Sequence, residues 1–405
     1  MTSGKKTGLI VVGILLVSVN LRAPLTSVSP VLGSISEAFG LSHAVAGLLT
    51  TLPLLAFALF SVLAPTFGRR FGLERVFLGA LLCVSAGLLA RPWSGAWLLL
   101  LGTALAGIGI AACNVLLPAF IKRSFPLRLG LMTGVYSVTM NLLGSVASGA
   151  SVPVSRAFGV TWEWTLAWWG FVALLSAIYW AIWMRGTSGK TGVVAGEPSR
   201  ERTSLWRYRL SWQMTLYMGL QSFLFFVVMA WLPDIAAERG VDARSAGFMV
   251  ALMQFGGLPF NMAMPLLAGK VKDQRLLTSA TALIFALGTG CMFMYDAGML
   301  ALGAALIGIG GGSSFGLAIM FFSLRTHGAQ QAAEMSGMAQ SFGYLLASAG
   351  PALFGWLHDA SGNWDVPLSL LGIAVLVFAW AGLGAGRDAK LPVPDTVREI
   401  KVEVV

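Results

Sequence analysis

The sequence is poor in charged residues, and acidic residues are the scarcer kind. Only 11% of its 405 residues are charged, and 17 of them are Asp or Glu. Soluble globular proteins carry about 25% charged residues. In this chain 57% of the residues are hydrophobic. The composition therefore excludes an ordinary soluble domain and predicts a membrane protein with many spans.

Cysteine and histidine are also scarce. The three cysteines lie in apolar runs, form no CxxC pair and are predicted to be small core residues: Cys83, Cys113 and Cys291. The three histidines lie near loops without metal-ligand spacing: His43, His327 and His358. No paired carboxylates or His/Cys/Asp grouping appears, which argues against a membrane-embedded enzyme. We therefore expect no catalytic residues, no metal and no cofactor.

The apolar segments predict an all-α membrane protein with twelve transmembrane helices. They cover 8–30, 44–67, 75–91, 96–121, 130–153, 163–185, 211–233, 245–268, 275–295, 299–323, 334–356 and 364–386. The first segment has no small-residue cleavage site and is expected to be retained. A polar, basic, glycine-rich stretch at 186–210 is predicted to link two six-helix halves, 1–185 and 211–386, ahead of a tail at 387–405. A receptor would carry a larger soluble part than this linker.

The basic residues indicate the orientation. With both termini in the cytoplasm, 22 of the 27 Lys and Arg residues fall on the cytoplasmic side. Four fall outside and one falls in the membrane: Arg91, Arg156, Arg239, Arg244 and, in the membrane, Arg22. This bias is typical of inner loops of membrane proteins. The net charge of +10 lies in short loops between spans, so we expect no nucleic-acid partner.

The two halves of the sequence repeat. A shift of about 200 positions aligns Gly40 with Gly240 and Arg75 with Arg275. Such matches predict two pseudo-symmetric halves related by an axis along the membrane normal, with a substrate site near the midplane between them.

Arg22 is the charge predicted to lie deep in an apolar span. Counting from Gly8 at a rise of about 1.5 Å per residue, it lies roughly 20 Å into a hydrocarbon core of about 30 Å. A guanidinium there costs roughly 3 kcal/mol unless it faces a partner or a cavity. No acidic residue lies deep in a span, so Arg22 is predicted to bind an anionic substrate. The alternative is that Arg22 bonds helix-end carbonyls and stabilises the fold.

Neighbouring residues support this prediction. Pro24 favours a kink that would let the first helix line a cavity. Thr26 lies one turn beyond Arg22 on the same face. The shift of 200 positions places Ser222 opposite Arg22, so the second half would contribute a neutral counterpart.

Other polar residues in the spans complete the predicted substrate site. They are Asn20, Asn114, Tyr136, Asn141, Gln221, Gln254, Asn261, Gln340 and Tyr344. Such side chains are costly against lipid and should face the interior of the bundle. For each, an interhelical hydrogen bond without a ligand is the alternative, and Tyr344 would serve equally as a core aromatic.

Two glycine clusters suggest a phosphate-binding loop at first sight. They are Gly107-Ile108-Gly109 and Gly308-Ile309-Gly310-Gly311-Gly312. Both lie inside apolar helices without a preceding strand, which favours close helix packing.

The whole chain resembles the major facilitator superfamily. In the loop after the second helix, Arg69-Arg70-Phe71-Gly72 stands where that superfamily has Asp-Arg-x-Gly, and Glu74 is the nearest acidic substitute. The string from Asn20 to Pro30, NLRAPLTSVSP, resembles the first helix of the cyanate and 2-nitroimidazole (CynX/NimT) transporter family. This resemblance implies a permease of the bacterial inner membrane for a small, often anionic solute.

The sequence as a whole predicts a secondary transporter that works by alternating access as a monomer in the bilayer. The alternative is an exporter of small neutral heterocycles such as nitroimidazoles. The antiporter signature of the superfamily has Gly-Pro in the fifth helix, but here Ala150 follows Gly149. Gly350-Pro351 does occur in the eleventh helix.

Overall fold

The computed structural model describes residues 3–28, 31–40, 43–91, 95–159, 161–187 and 205–392. Within these segments the regular secondary structure is helical, as predicted. The α-helices are α1 (Ser3–Val19), α2 (Ala23–Thr26), α3 (Leu32–Phe39), α4 (His43–Phe60), α5 (Ala64–Phe71), α6 (Leu73–Ala90), α7 (Gly95–Ser124), α8 (Leu129–Phe158), α9 (Trp162–Thr187), α10 (Arg209–Glu238), α11 (Ala243–Gly256), α12 (Leu258–Ala268), α13 (Arg275–Met292), α14 (Ala297–Leu324), α15 (Ala329–Ser361) and α16 (Asp365–Gly386).

These helices account for the twelve predicted spans. In the described residues, ten stretches are long and apolar enough to cross a membrane, and an eleventh consists of α4 and α5, bent by 57°. The twelfth is α15, which has 33 residues but is less apolar than the others. The first half comprises α1 to α9 and the second α10 to α16. The predicted linker lies mostly outside the described residues, as does the tail from residue 393 onward.

Glycines allow the helices to approach closely. A Cβ atom at Gly109 of α7 would lie 2.4 Å from the Ala80 carbonyl oxygen of α6. A Cβ at Gly312 of α14 would lie 2.1 Å from the Gly257 carbonyl oxygen. Both glycine clusters therefore serve helix packing, as the sequence predicts.

The loops after α5 and α12 and the end of α7 lie at one end of the bundle, which we call the basic end. There the Lys122 ammonium donates to the Ser323 and Thr326 carbonyl oxygens, at 2.7 and 2.6 Å. Arg69 forms an ion pair with Glu334 of the second half. In the described residues, no hydrogen bond or ion pair joins the halves between Arg22 and the opposite end. The halves are therefore joined at the basic end and at the level of Arg22.

Glu74, the nearest acidic substitute for the missing aspartate, does not pair with Arg69 or Arg70. It pairs with Arg123 of the first half, because α6 and α7 are close neighbours within that half. The carboxylate that pairs with Arg69 is Glu334 of the second half.

Candidate solute-binding site

Arg22 lies at a break in the first span, not inside a continuous helix as its sequence position suggests. Helix α1 ends at Val19, and α2 begins at Ala23. Pro24 lies in the first turn of α2. Proline has no amide hydrogen, and in the first turn of a helix this loses no intrahelical hydrogen bond. The break therefore presents the Arg22 side chain to the space between helices of the two halves.

The Arg22 guanidinium is positioned by the first half and connected to the second. Its Nη1 donates to Asn141 Oδ1 of α8. Asn141 Nδ2 donates in turn to Asn261 Oδ1 of α12, at 3.3 Å. Thr26 Oγ1 donates to the Gly144 carbonyl oxygen at 2.7 Å, which fixes α2 against α8. The structure thus brings four predicted site residues together.

The charge on Arg22 has no acidic partner among the residues that the structure describes. In the described part of the chain, no carboxylate oxygen lies within 4 Å of its guanidinium nitrogens. Nη1 bonds Asn141, while Nε and Nη2 form no hydrogen bond there. The side chain is only partly buried. An arginine with free planar donors suits the bidentate binding of a carboxylate or a similar anion.

Two aromatic rings of the second half flank the guanidinium. The Arg22 Cζ atom lies 6.0 Å from the ring centroid of Phe225 and 5.9 Å from that of Phe226. Such contacts stabilise a cation without neutralising it. The sequence does not indicate this pair, because only polar residues stand out in an apolar helix. Ser222, the residue predicted to lie opposite Arg22, is buried and accepts a hydrogen bond from Gln221 Nε2 at 2.5 Å.

Gly144 is a second residue that the sequence reasoning missed. A Cβ atom there would lie 2.9 Å from Arg22 Cγ and 3.1 Å from Cδ. The absence of a side chain makes room for the arginine stem. Gly144 lies three residues after Asn141, so the two share one face of α8. This spacing is the feature of the sequence that could have indicated Gly144.

Four other predicted site residues form a second cluster nearer the basic end: Asn114, Tyr136, Gln340 and Tyr344. Tyr136 OH donates to Asn114 Oδ1 at 3.0 Å. Asn114 Nδ2 donates to Gln340 Oε1 at 2.8 Å and to Tyr344 OH at 3.4 Å. Gln340 Nε2 donates back to the Asn114 carbonyl oxygen at 3.2 Å. This cluster links α7 and α8 to α15, and it satisfies most of its own hydrogen bonds.

Three predicted site residues lie apart from these clusters. Asn20 Nδ2 donates to the Leu16 carbonyl oxygen and to Ser176 Oγ, at 2.7 and 2.9 Å, both in the first half. Gln221 bonds its own helix through the Met218 carbonyl oxygen. Gln254 is partly buried in α11, and its side chain forms no hydrogen bond within the described residues.

Two further arginines are buried, which the sequence did not indicate. Arg325 is 2% exposed and donates to the Ala385 and Gly386 carbonyl oxygens at 3.0 and 2.8 Å. It thereby holds the end of α16. Arg91 is 1% exposed, and none of its guanidinium nitrogens has a hydrogen-bond partner in the described residues.

Comparison with known proteins gives consistent relationships over nearly the whole chain. The family model described as Major Facilitator Superfamily matches residues 11–351 and 214–402. The 2-nitroimidazole transporter of Escherichia coli (strain K12) is 40% identical over 391 residues, which are 96% of this chain and 98% of that protein. The cyanate transport protein of the same strain is 28% identical over 376 residues, 91% of this chain and 96% of that protein.

A solved structure shows the same fold. The proton:xylose symporter bound to 6-bromo-6-deoxy-D-glucose superposes with a TM-score of 0.76 at 14% identity, covering 97% of this chain and 99% of that one. At this identity the likeness concerns the fold alone.

Proposed function

The chain belongs to the major facilitator superfamily, and from this premise we propose that it carries a small, planar anion bound at Arg22. It is a multi-pass membrane transporter of small solutes, not an enzyme. The single observation that carries the anionic assignment is the partly buried Arg22 guanidinium without a carboxylate partner. A bound anion would compensate that charge where water is scarce.

The surroundings of Arg22 support a planar solute. A carboxylate or cyanate group would accept hydrogen bonds from the unpaired Nε and Nη2 atoms. The rings of Phe225 and Phe226 would flank the rest of the solute. Asn141, Asn261 and Thr26 would supply further hydrogen bonds. The second half then contributes apolar and amide groups, while the first half contributes the charge.

The transport cycle is proposed to alternate access to this site. The contacts between the halves lie at the basic end and at the level of Arg22. Solute would therefore enter from the opposite end in this state. Rocking of the two halves about the site would break the contacts at the basic end and release the solute there.

We further propose that the basic end faces the cytoplasm of a bacterial inner membrane, with both termini inside. The distribution of Lys and Arg supports this orientation. Single cysteines at Ser199, which lies outside the described residues, and at exposed Asp242 should react from opposite sides of the membrane. Labelling of both from outside intact cells would contradict the orientation.

Binding of matched neutral and anionic probes tests the anion site. We expect purified wild-type protein to bind benzoate but not benzamide, which has the same shape without the charge. Hydrogen bonds to charged groups contribute about 1.5–3 kcal/mol. Arg22→Ala should therefore weaken benzoate binding roughly 10- to 100-fold. The affinity of Arg22→Lys should lie between those of Arg22→Ala and the wild type, because lysine keeps the charge but lacks the planar guanidinium.

The control is Arg244→Ala, which removes an exposed positive charge from α11. It should bind benzoate like the wild type. Wild-type affinity in Arg22→Ala would contradict the proposal, as would equal binding of benzoate and benzamide.

A neutral heterocycle is the second candidate substrate. The 40% identity to the 2-nitroimidazole transporter supports it, and the paired phenylalanines would hold such a ring equally well. Under this alternative, 2-nitroimidazole binds with the same affinity to the wild type and to Arg22→Ala, and benzoate does not compete.

A further inference from the structure

An apolar groove lies on the outside of the bundle near the basic end, away from the Arg22 site. Its volume is about 380 Å³. Phe67 and Phe71 of α5 form one wall, with ring centroids 6.2 Å apart and an angle of 15° between the rings. Gly79 and Cys83 of α6 and Ile108 of α7 line the rest. The groove therefore presents an apolar surface on two of the membrane-spanning helices, α6 and α7.

The mouth of the groove carries positive charge that no carboxylate among the described residues pairs with. Four arginines lie near the α5–α6 loop, namely Arg69, Arg70, Arg75 and Arg123. Arg69 pairs with Glu334 and Arg123 with Glu74. Within the described residues, neither Arg70 nor Arg75 has a carboxylate oxygen within 4 Å. Arg75 itself lines the groove, and the Arg70 Cζ atom lies 5.4 Å from the Phe71 ring centroid.

We propose that this groove binds an anionic diacyl phospholipid such as phosphatidylglycerol. One acyl chain lies along Gly79, Cys83 and Ile108, and the phosphate contacts Arg75 and Arg70. A phospholipid is complementary to the groove. Its negative phosphate would lie beside the arginines, and the attached acyl chain would lie along the apolar surface. Each Lys or Arg beside an anionic membrane surface contributes about 1 kcal/mol, which is about fivefold in affinity.

The second half offers a comparison built on the same plan. Arg275 aligns with Arg75 in the sequence repeat, but its Nε lies 3.8 Å from an Asp273 carboxylate oxygen. Its charge is therefore partly compensated within the protein. Anionic lipid should prefer the first-half groove to the corresponding surface of α13.

Photo-crosslinking locates the lipid directly. The full-length protein is reconstituted in phosphatidylcholine vesicles that contain phosphatidylglycerol with a diazirine on one acyl chain. After irradiation, mass spectrometry should find the lipid on peptides that contain Cys83 and Ile108. The same diazirine chain on phosphatidylcholine should label those peptides at least about fivefold less, because it carries no net charge.

Two variants test the two parts of the groove. A Cβ atom at Gly79 would meet no atom within 4 Å, so Gly79→Phe can fill the groove without displacing the helices. It should reduce labelling of both peptides at least tenfold. Arg75→Gln should reduce it about fivefold for phosphatidylglycerol and leave the phosphatidylcholine signal unchanged.

Matched controls come from α13. A Cβ at exposed Gly290 also meets no atom within 4 Å, so Gly290→Phe should label like the wild type, and so should Arg275→Gln. Monodisperse gel filtration establishes that each variant is folded. Uniform labelling over the lipid-facing helices would overturn the proposal. So would full labelling of folded Gly79→Phe, equal labelling by the two headgroups, or competition by inorganic phosphate alone.

Discussion

Arg69 of α5 and Glu334 of α15 form an ion pair that joins the two halves at the basic end. The side chains are 34% and 24% exposed, so the pair lies at the rim of the interface. Gln330 Nε2 also donates to Glu334 Oε1, at 2.8 Å. If the halves rock apart at this end, this pair must separate.

The first prediction is that the charges of this pair can be exchanged. Arg69→Glu places two carboxylates together and should favour opening of the basic end. A partly exposed pair contributes about 0.2–1 kcal/mol, so the change in the open fraction should be a few-fold. The double variant Arg69→Glu/Glu334→Arg should return it toward the wild-type value.

Pulsed EPR distances measure this opening. Spin labels at Leu127, which is 98% exposed in the first half, and at exposed Lys272 in the second half report the separation at the basic end. The three native cysteines are replaced first. Arg123→Gln is the matched control, because the contacts of Arg123 with Glu74 and with the Phe120 ring both lie inside the first half. An unchanged distance distribution in Arg69→Glu would contradict the prediction.

The second prediction concerns the seat of Arg22. Gly144→Ala puts a methyl group 2.9 Å from Arg22 Cγ, so the arginine must move. Overpacking of this kind costs about 1–3 kcal/mol, and benzoate affinity should fall at least fivefold. Gly149→Ala is the control in the same helix, since its Cβ meets nothing within 4 Å. Equal affinities for the two variants would show that Gly144 does not position Arg22.

The fold and the charged residue of the candidate site can be predicted from the sequence, because both reflect the large free-energy cost of placing polar groups in the membrane. A long apolar segment crosses the membrane as a helix. A charged residue inside it is costly unless it faces a partner or a cavity. Arg22, Asn141 and Asn261 belong to this class of costly residues. The duplication then predicts a site between the two halves. The membership of the superfamily is shown by similarity over nearly the whole chain.

The sequence does not predict what depends on packing between distant segments. Phe225 and Phe226 are ordinary residues in an apolar helix, and only their distance from Arg22 makes them relevant. Gly144 matters through the stem of an arginine on another helix. Either Glu74 or Glu334 could pair with Arg69 or Arg70 as far as the sequence shows. In the structure, helix packing brings Glu334 to Arg69, while Glu74 pairs with Arg123. Asn20 is next but one to Arg22 in sequence, yet it points toward α9.

The third prediction assigns the Asn114 cluster to contact between the halves. Asn114 bonds both Gln340 and Tyr344 across the interface, so these bonds must break when the basic end opens. Asn114→Ala removes the acceptor of the Tyr136 hydroxyl and the donor to Gln340 Oε1, at a cost of about 1–3 kcal/mol. The variant should melt at a lower temperature and show a larger open fraction by EPR.

Benzoate binding separates this role from a direct contact with solute. We expect affinity to change less than threefold in Asn114→Ala, whereas Asn141→Ala should weaken it more strongly, since Asn141 holds Arg22. A tenfold loss of affinity in Asn114→Ala with an unchanged open fraction would instead place Asn114 in the solute site.

The fourth prediction concerns coupling to protons. Many proton-coupled carriers use a carboxylate deep in a span. In the described spans the acidic residues lie near helix ends, for example Glu163 in the first turn of α9 and Glu238 at the end of α10. Any coupling should therefore use the charge of the solute or an acid at a span end. Two such acids are Glu37, which is exposed, and Glu334, which pairs with Arg69 across the halves.

Loss of the negative charge on Glu334 would remove its attraction to Arg69 across the halves. Glu334→Gln removes that charge and keeps the shape of the side chain. We expect it to keep exchange of labelled benzoate between the two sides of proteoliposomes but to lose accumulation driven by a pH gradient. Glu37→Gln and Glu163→Gln are the controls and should retain accumulation. Glu163 lies at the start of α9, and its Oε2 atom is buried without a hydrogen-bond partner in the described residues. If Glu163→Gln lost accumulation instead, Glu163 would be the coupling group and the role of Glu334 would be refuted.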